Sequence, residues 1–193
     1  MSQHPAVGLC HTRFEILDSR NGSLCRGYEG CNIDYFDLLT GCGICLSTSM
    51  VRREILFAAG LFQPMHRFSE DWDLWLRVAP LTRILRVEHV LACYRIHDLN
   101  KSRDYLNSYR TRCAILKNHL ELAKTKSDAR ALQTARRGLW RINELQGAKA
   151  LDAARASFRR RDWVGVARHL RYAFQMAPLG TIKGVVEKLG RRK

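Results

Sequence analysis

Apolar and polar positions follow two different periods along the chain, and the change from one to the other falls near Asp104. In the first part the runs are short. Val7 to Ile16 reads as a strand, followed by a turn at Asp18-Ser19-Arg20-Asn21-Gly22. Tyr35 to Leu39 suits a short helix or a strand. Ile44 to Ser47 leads through Thr48 and Ser49 into a helix from Arg52 to Ala59, which Gly60 closes. Gln63-Pro64-Met65-His66 predicts a loop, Ser69 starts a second helix as its N-cap, and Pro80 stops it. Ile84 to Val87 and Val90 to Tyr94 are strand-like, and by about Asp104 the α/β pattern is complete.

Beyond that point the period is helical. Residues 105 to 157 contain no proline, and Tyr105, Tyr109, Ile115, Leu116 and Leu120 recur at helical spacing. Phe158, Asp162-Trp163, Ala173, Phe174 and Pro178 stand where a tetratricopeptide-type unit places its aromatic, turn, small and closing residues, so residues 153 to 178 resemble one such unit. Val166 departs from the alanine that the repeat prefers, and no second copy is present. Such repeats bury their faces by stacking, so a single copy predicts a helical hairpin that docks on something.

The densest chemistry lies in Glu70-Asp71-Trp72-Asp73-Leu74-Trp75-Leu76-Arg77. Three carboxylates fall in the first turn of the predicted helix, where unpaired N–H groups and the helix dipole favour negative charge. Trp72, Trp75, Leu76 and Ala79 form its apolar stripe. An acidic helix start explains this by itself. A carboxylate held at a cleft edge and partly desolvated can also act as a general base.

The 193 residues are 46% hydrophobic, enough for one core, or one core with a helical extension. No apolar run reaches the ~18 residues of a membrane span, and Met1 to Cys10 lacks the order of a signal peptide. A cytoplasmic protein is expected, with a peripheral position on the inner face of the membrane as the further expectation. Seven cysteines, an odd number, argue against a secreted disulfide framework. Cys42-Gly43-Ile44-Cys45 has the C-x-x-C form, but Cys25 and Cys31 leave five residues between them, so a zinc ribbon is not completed. Core packing is the expected role of Cys42 and Cys45.

Of the net charge of +15, residues 130 to 193 hold +12, from sixteen Lys or Arg against four acids. A solvated helix face accounts for this. Attraction to an anionic membrane is the second reading, through Ile182, Val185, Val186 and Leu189 beside Arg191-Arg192-Lys193. Nucleic acid is the weakest partner, since no reading motif is present and the aromatic residues have core-like spacing.

Four segments in order carry a more specific signal. They are Ser47-Thr48-Ser49-Met50-Val51-Arg52-Arg53, then Ala59-Gly60-Leu61-Phe62, the acidic octapeptide, and Tyr94-Arg95-Ile96-His97 followed by Asn100-Lys101-Ser102. Together, over roughly residues 7 to 103, they resemble the C-terminal, acceptor-side half of the family 2 glycosyltransferase domain, a GT-A fold. The N-terminal nucleotide-binding half of that family and its Asp-x-Asp motif have no counterpart here, and Asp34-Tyr35-Phe36-Asp37 has the wrong spacing for it. The expected architecture is therefore α/β. A partial GT-A domain over residues 1 to 103 would be followed by a basic, all-α extension over residues 104 to 193.

The resemblance implies transfer of a sugar from a nucleotide-sugar donor to an acceptor hydroxyl, with inversion, in glycan, polysaccharide or lipid-linked sugar biosynthesis. It implies Asp71 as the catalytic base and Glu70 as its partner, which positions the acceptor or raises the proton affinity of Asp71 by like-charge repulsion. Trp72, Arg77 and Arg95 are the implied substrate-binding residues, with Arg77 orienting a carboxylate. His97 is either a metal ligand or a residue that fixes its loop. A divalent metal, Mn or Mg, is implied for the complete enzyme. The chain is expected to be a partial enzyme, from a truncation or a late start, and inactive without the donor-binding half. A non-catalytic interaction module acting through the basic helical tail is the alternative.

Overall fold

The strand β1, Val7–Asp18, has neighbours on both edges. Along one edge runs β4, Arg83–Ile96, in parallel. The other edge holds two short antiparallel strands: β3, Ser49–Val51, opposite Leu9 to His11, and β2, Ser23–Arg26, opposite Glu15 to Asp18. The sheet is mixed. A parallel pair needs a long crossover, and the one between β1 and β4 contains α1 (Tyr35–Thr40), a 3-10 turn (Leu46–Thr48), α2 (Arg53–Ala58) and α3 (Glu70–Val78). This is the mixed α/β class expected from the sequence.

The computed structural model describes residues 4–18, 22–26, 33–97, 100 and 104–177. Cys31, Lys101, Ser102, Pro178 and the tail residues Ile182, Val185, Val186, Leu189 and Arg191 to Lys193 lie outside the described residues, as does most of the turn after β1.

β4 corrects the expectation of two strands. Thr12 pairs with Val87 and the adjacent Arg13 with Val90, so Glu88 and His89 are extra residues accommodated by an irregularity in one continuous strand. The polar dipeptide that interrupts the apolar pattern is a bulge. Arg86 Nη2 holds the Glu88 carboxylate at 2.6 Å there. β3 is a further difference, since its three residues read only as the approach to a helix.

Local chemistry explains the helix ends. Asp34 and Asp37 form a reciprocal capping box at α1: Asp37 N–H donates to Asp34 Oδ1 at 2.8 Å and Asp34 N–H to Asp37 Oδ2 at 3.1 Å. Gly60 follows α2 at φ 81°, where a side chain would be strained. Asp104 caps α4, Tyr105–Thr125, by accepting from Asn107 N–H.

The chain divides into two compact units, Met1–Arg136 and Arg137–Lys193, so the boundary falls inside α5, Ala129–Arg159. The composition changes at Asp104, but α4 belongs with the sheet. Its Ile115, Leu116 and His119 are buried, and the His119 Nδ1 lies 3.1 Å from the Tyr35 hydroxyl of α1. Arg130 lies over the Phe36 ring at 3.7 Å.

The second unit is a hairpin of α5 and α6, Trp163–Met176. Small residues let the helices meet: Ala150 and Ala173 are buried in one cluster with Leu151, and a Cβ on Gly147 would stand 2.7 Å from that of Ala177. Asp162 caps α6 through Gly165 N–H at 2.8 Å, and a Cβ at Gly165 would lie 2.0 Å from Asp162 Oδ2. Among the described residues no helix is long and apolar enough to cross a membrane.

Candidate active site at the start of α3

α3 is buried on more than the expected stripe. Trp72, Leu74, Trp75, Leu76 and Val78 are all buried, and Asp73 with them. Trp72 Nε1 donates to Leu38 O at 2.8 Å, which pins α3 to α1. Ser69 occupies the N-cap position, but with φ 53° and ψ 30° it is left-handed and makes no side-chain capping bond. The expected serine cap is thus absent. Ser69 Oγ instead accepts from Arg112 Nε of α4 at 3.1 Å.

The three carboxylates of the helix start have different surroundings. Asp73 faces inward: Arg77 Nη2 and Nε reach its Oδ2 at 2.7 and 3.1 Å, and His66 Nε2 lies 3.7 Å from its Oδ1. Arg77 also donates to Ala59 O and, at 2.8 Å, to Leu61 O. It therefore orients a carboxylate, that of Asp73, and ties the turn after α2 to α3. A guanidinium so engaged has little left for a substrate.

Asp71 lies on the other side of the helix start, where Oδ1 accepts from Trp72 N–H at 2.8 Å. Burial raises its proton affinity above the usual carboxylate range, and repulsion from Glu70 raises it further. Hydrogen bonds from backbone N–H groups and the Arg112 guanidinium act in the opposite sense. The half-buried Cys42 thiol feels the same charge. Burial first and Asp71 second push it up to about 12, so it stays a neutral donor, 3.3 Å from Ile44 O. A thiol held there is a poor nucleophile at neutral pH.

The structure brings Glu70, Asp71 and Trp72 together and adds two groups that sequence reasoning missed, Cys42 and Arg112. Arg112 lies 41 residues beyond Asp71, in a helix whose charge pattern marks only a solvated face, so the linear sequence holds no signal for it. It is exposed, with its guanidinium carbon 5.9 Å from the centroid of the Trp72 ring. Trp72, expected against substrate, is 1% exposed and has a core position beneath Asp71.

Arg95 and His97 lie on another element, at the end of β4, and both are exposed. Asn100 organises that end: its Oδ1 accepts from His97 N–H, and its Nδ2 donates to Arg95 O at 3.2 Å. Among the described residues no three His, Cys, Asp or Glu side chains converge as a metal shell, and neither His97 nor the Cys42–Cys45 pair belongs to one.

A second polar cluster lies behind α3. Burial lowers the proton affinity of His119 and raises that of the Tyr35 hydroxyl beside it. His119 also senses the charges of Asp73 and Arg77. Two buried ring nitrogens have no partner among the described residues, His11 Nε2 in β1 and Trp75 Nε1 in α3.

Neither protein-family models nor curated proteins returned a match to this chain.

Proposed function

We propose that this chain is the acceptor side of a family 2 glycosyltransferase, in which Asp71 is the catalytic base. The single observation that carries the reading is the raised proton affinity of a partly buried carboxylate at the start of α3, beside Glu70 and the exposed Arg112. A carboxylate whose proton affinity is raised is a better acceptor for the proton of a hydroxyl.

In the reaction proposed, Asp71 accepts the proton of the acceptor hydroxyl while its oxygen attacks the anomeric carbon. The new glycosidic C–O bond forms as the bond to the nucleoside diphosphate breaks, and that group leaves with the electron pair. Configuration at the anomeric carbon inverts. Burial keeps the proton affinity of Asp71 high, the charge of Glu70 adds to it, and Arg112 limits the rise. The donor is a nucleotide sugar and the acceptor a glycan or lipid-linked sugar. The Mn or Mg of the complete enzyme belongs to the donor side in this proposal.

Exposed apolar side chains on the α5–α6 hairpin favour a second reading, a non-catalytic module acting through its basic helices. In its finer form that hairpin is one tetratricopeptide-like unit. The two readings separate when protein captured from its source cells is given a panel of radiolabelled nucleotide sugars. Sugar transfer with release of nucleoside diphosphate supports the transferase. No turnover of any donor by captured protein that includes the donor-binding half rejects it.

A further inference from the structure

α6 is apolar on two faces, and only one has a partner within its unit. Gly165 and Ala173 are buried on the face toward α5. Trp163, Ala167, Leu170 and Phe174 follow at i, i+4, i+7 and i+11, a spacing that places all four on one face of a helix. All four are exposed, Trp163 at 63%, Phe174 at 55% and Leu170 at 37%. Val164, at 78%, extends the patch. Phe158 meets the Trp163 ring edge-on at 5.4 Å, so the aromatic surface continues over the turn.

The charge around this stripe has one sign. α6 contains no carboxylate, while Arg168 and Arg171 border the stripe on one flank and are exposed. Arg159, Arg160 and Arg161 precede it, also exposed. Asp162 is the one acid of the turn, and its Oδ1 is engaged by Gly165 N–H. The nearest acid of α5, Asp152, pairs with Arg155 at 2.6 Å. Five cations beside an apolar face thus have no ion pair among the described residues.

We propose that α6 lies on an anionic lipid bilayer, with Trp163, Leu170 and Phe174 at the boundary of headgroups and acyl chains and the flanking arginines on lipid phosphates. The proposal does not rest on the transferase reading. Tryptophan is suited to such a boundary because its ring is apolar and its N–H polar. Each Arg near an anionic surface adds favourable energy that salt screens. Leu170 and Val164 distinguish this surface from one for single-stranded nucleic acid, since an aliphatic side chain offers no face on which a base can stack.

The test is sedimentation of the full chain with phosphatidylcholine vesicles, with and without phosphatidylserine. Binding is expected only with phosphatidylserine, weakening as salt rises. Trp163→Ala with Phe174→Ala is expected to lower partitioning by about tenfold or more, with unchanged helical circular dichroism, because both side chains are exposed. Residues 178 to 193 are intact in that variant, so the loss belongs to α6. Independently, brominated lipid should quench the fluorescence of the unaltered protein, and Trp163→Phe should remove most of that quenching. Vesicle binding that persists in the double variant overturns the proposal. So does a chain that ignores anionic vesicles, whether it binds single-stranded RNA, another protein or neither.

Discussion

Arg112 of α4 donates from Nε to Ser69 Oγ across 3.1 Å, joining the first helix after the composition change to the residue that opens the acidic helix. The contact gives α4 a part in the candidate site. Its guanidinium is also the cation that moderates the proton affinity of Asp71.

Removing that cation should raise Asp71 further. In Arg112→Gln the Asp71 carboxyl is expected to titrate at higher pH than in the unaltered protein, followed by the carboxyl carbon shift in NMR. An unchanged or lower titration would place Arg112 outside the electrostatic environment of Asp71.

Asp73 has a structural part. Replacing it with Asn leaves Arg77 without its carboxylate at the turn after α2, in a pair whose side chains are only 10% and 22% exposed. A loss of about 2–4 kcal/mol in urea unfolding is expected. A change close to zero would show that Arg77 holds the turn through Ala59 O and Leu61 O alone.

The two tryptophans of α3 should respond differently to the same substitution. Trp72→Phe deletes the bond to buried Leu38 O and should cost about 1–2 kcal/mol, whereas Trp75→Phe deletes an N–H that has no partner among the described residues. The second change should stay within about 1 kcal/mol of neutral or be stabilising. Equal losses at both positions would contradict this assignment, as read by thermal or urea unfolding.

Burial lowers the proton affinity of His11 and His119, so the folded chain holds them neutral where the unfolded chain binds protons. Their contribution to stability is present above the unfolded value of about 6.5 and lost as pH falls through the lowered folded values. The unfolding midpoint should therefore drop as pH is lowered below that point. His11→Phe with His119→Asn, which keeps an acceptor for the Tyr35 hydroxyl, should flatten the drop. A midpoint equally steep in the double variant would contradict the assignment.

Much of the fold is local and was legible. Ser69 and Pro80 bracket α3, Gly60 closes α2, and the apolar run from Val7 is β1. What escaped depends on partners distant in sequence. Glu88-His89 reads as a break because the bulge exists only against Thr12 and Arg13. Ser69 has the right residue type for a cap, yet Arg112 takes its hydroxyl. The boundary near Asp104 is real in composition, but the burial of His119 beside Tyr35 puts α4 with the sheet. In the candidate site, the acidic helix start was evident from residue types. Which carboxylate is structural and which has the raised proton affinity depends on Arg77, His66, Cys42 and Arg112: the i, i+4 spacing sets Arg77 beside Asp73, but no spacing rule places the other three.

The most direct measurement is sugar transfer by protein captured from its source cells, with Asp71→Asn beside Asp73→Asn and the unaltered chain. Ionised Asp71 is held against its raised folded pKa, so any stabilisation it gives is present below the unfolded value of about 3.9 and lost as pH rises through the folded one. Asp71→Asn should consequently be as stable as the unaltered chain at neutral pH, or more stable. It should lose transfer by about a hundredfold or more. Transfer at the unaltered rate in a folded Asp71→Asn protein would contradict the assignment of Asp71 as the base.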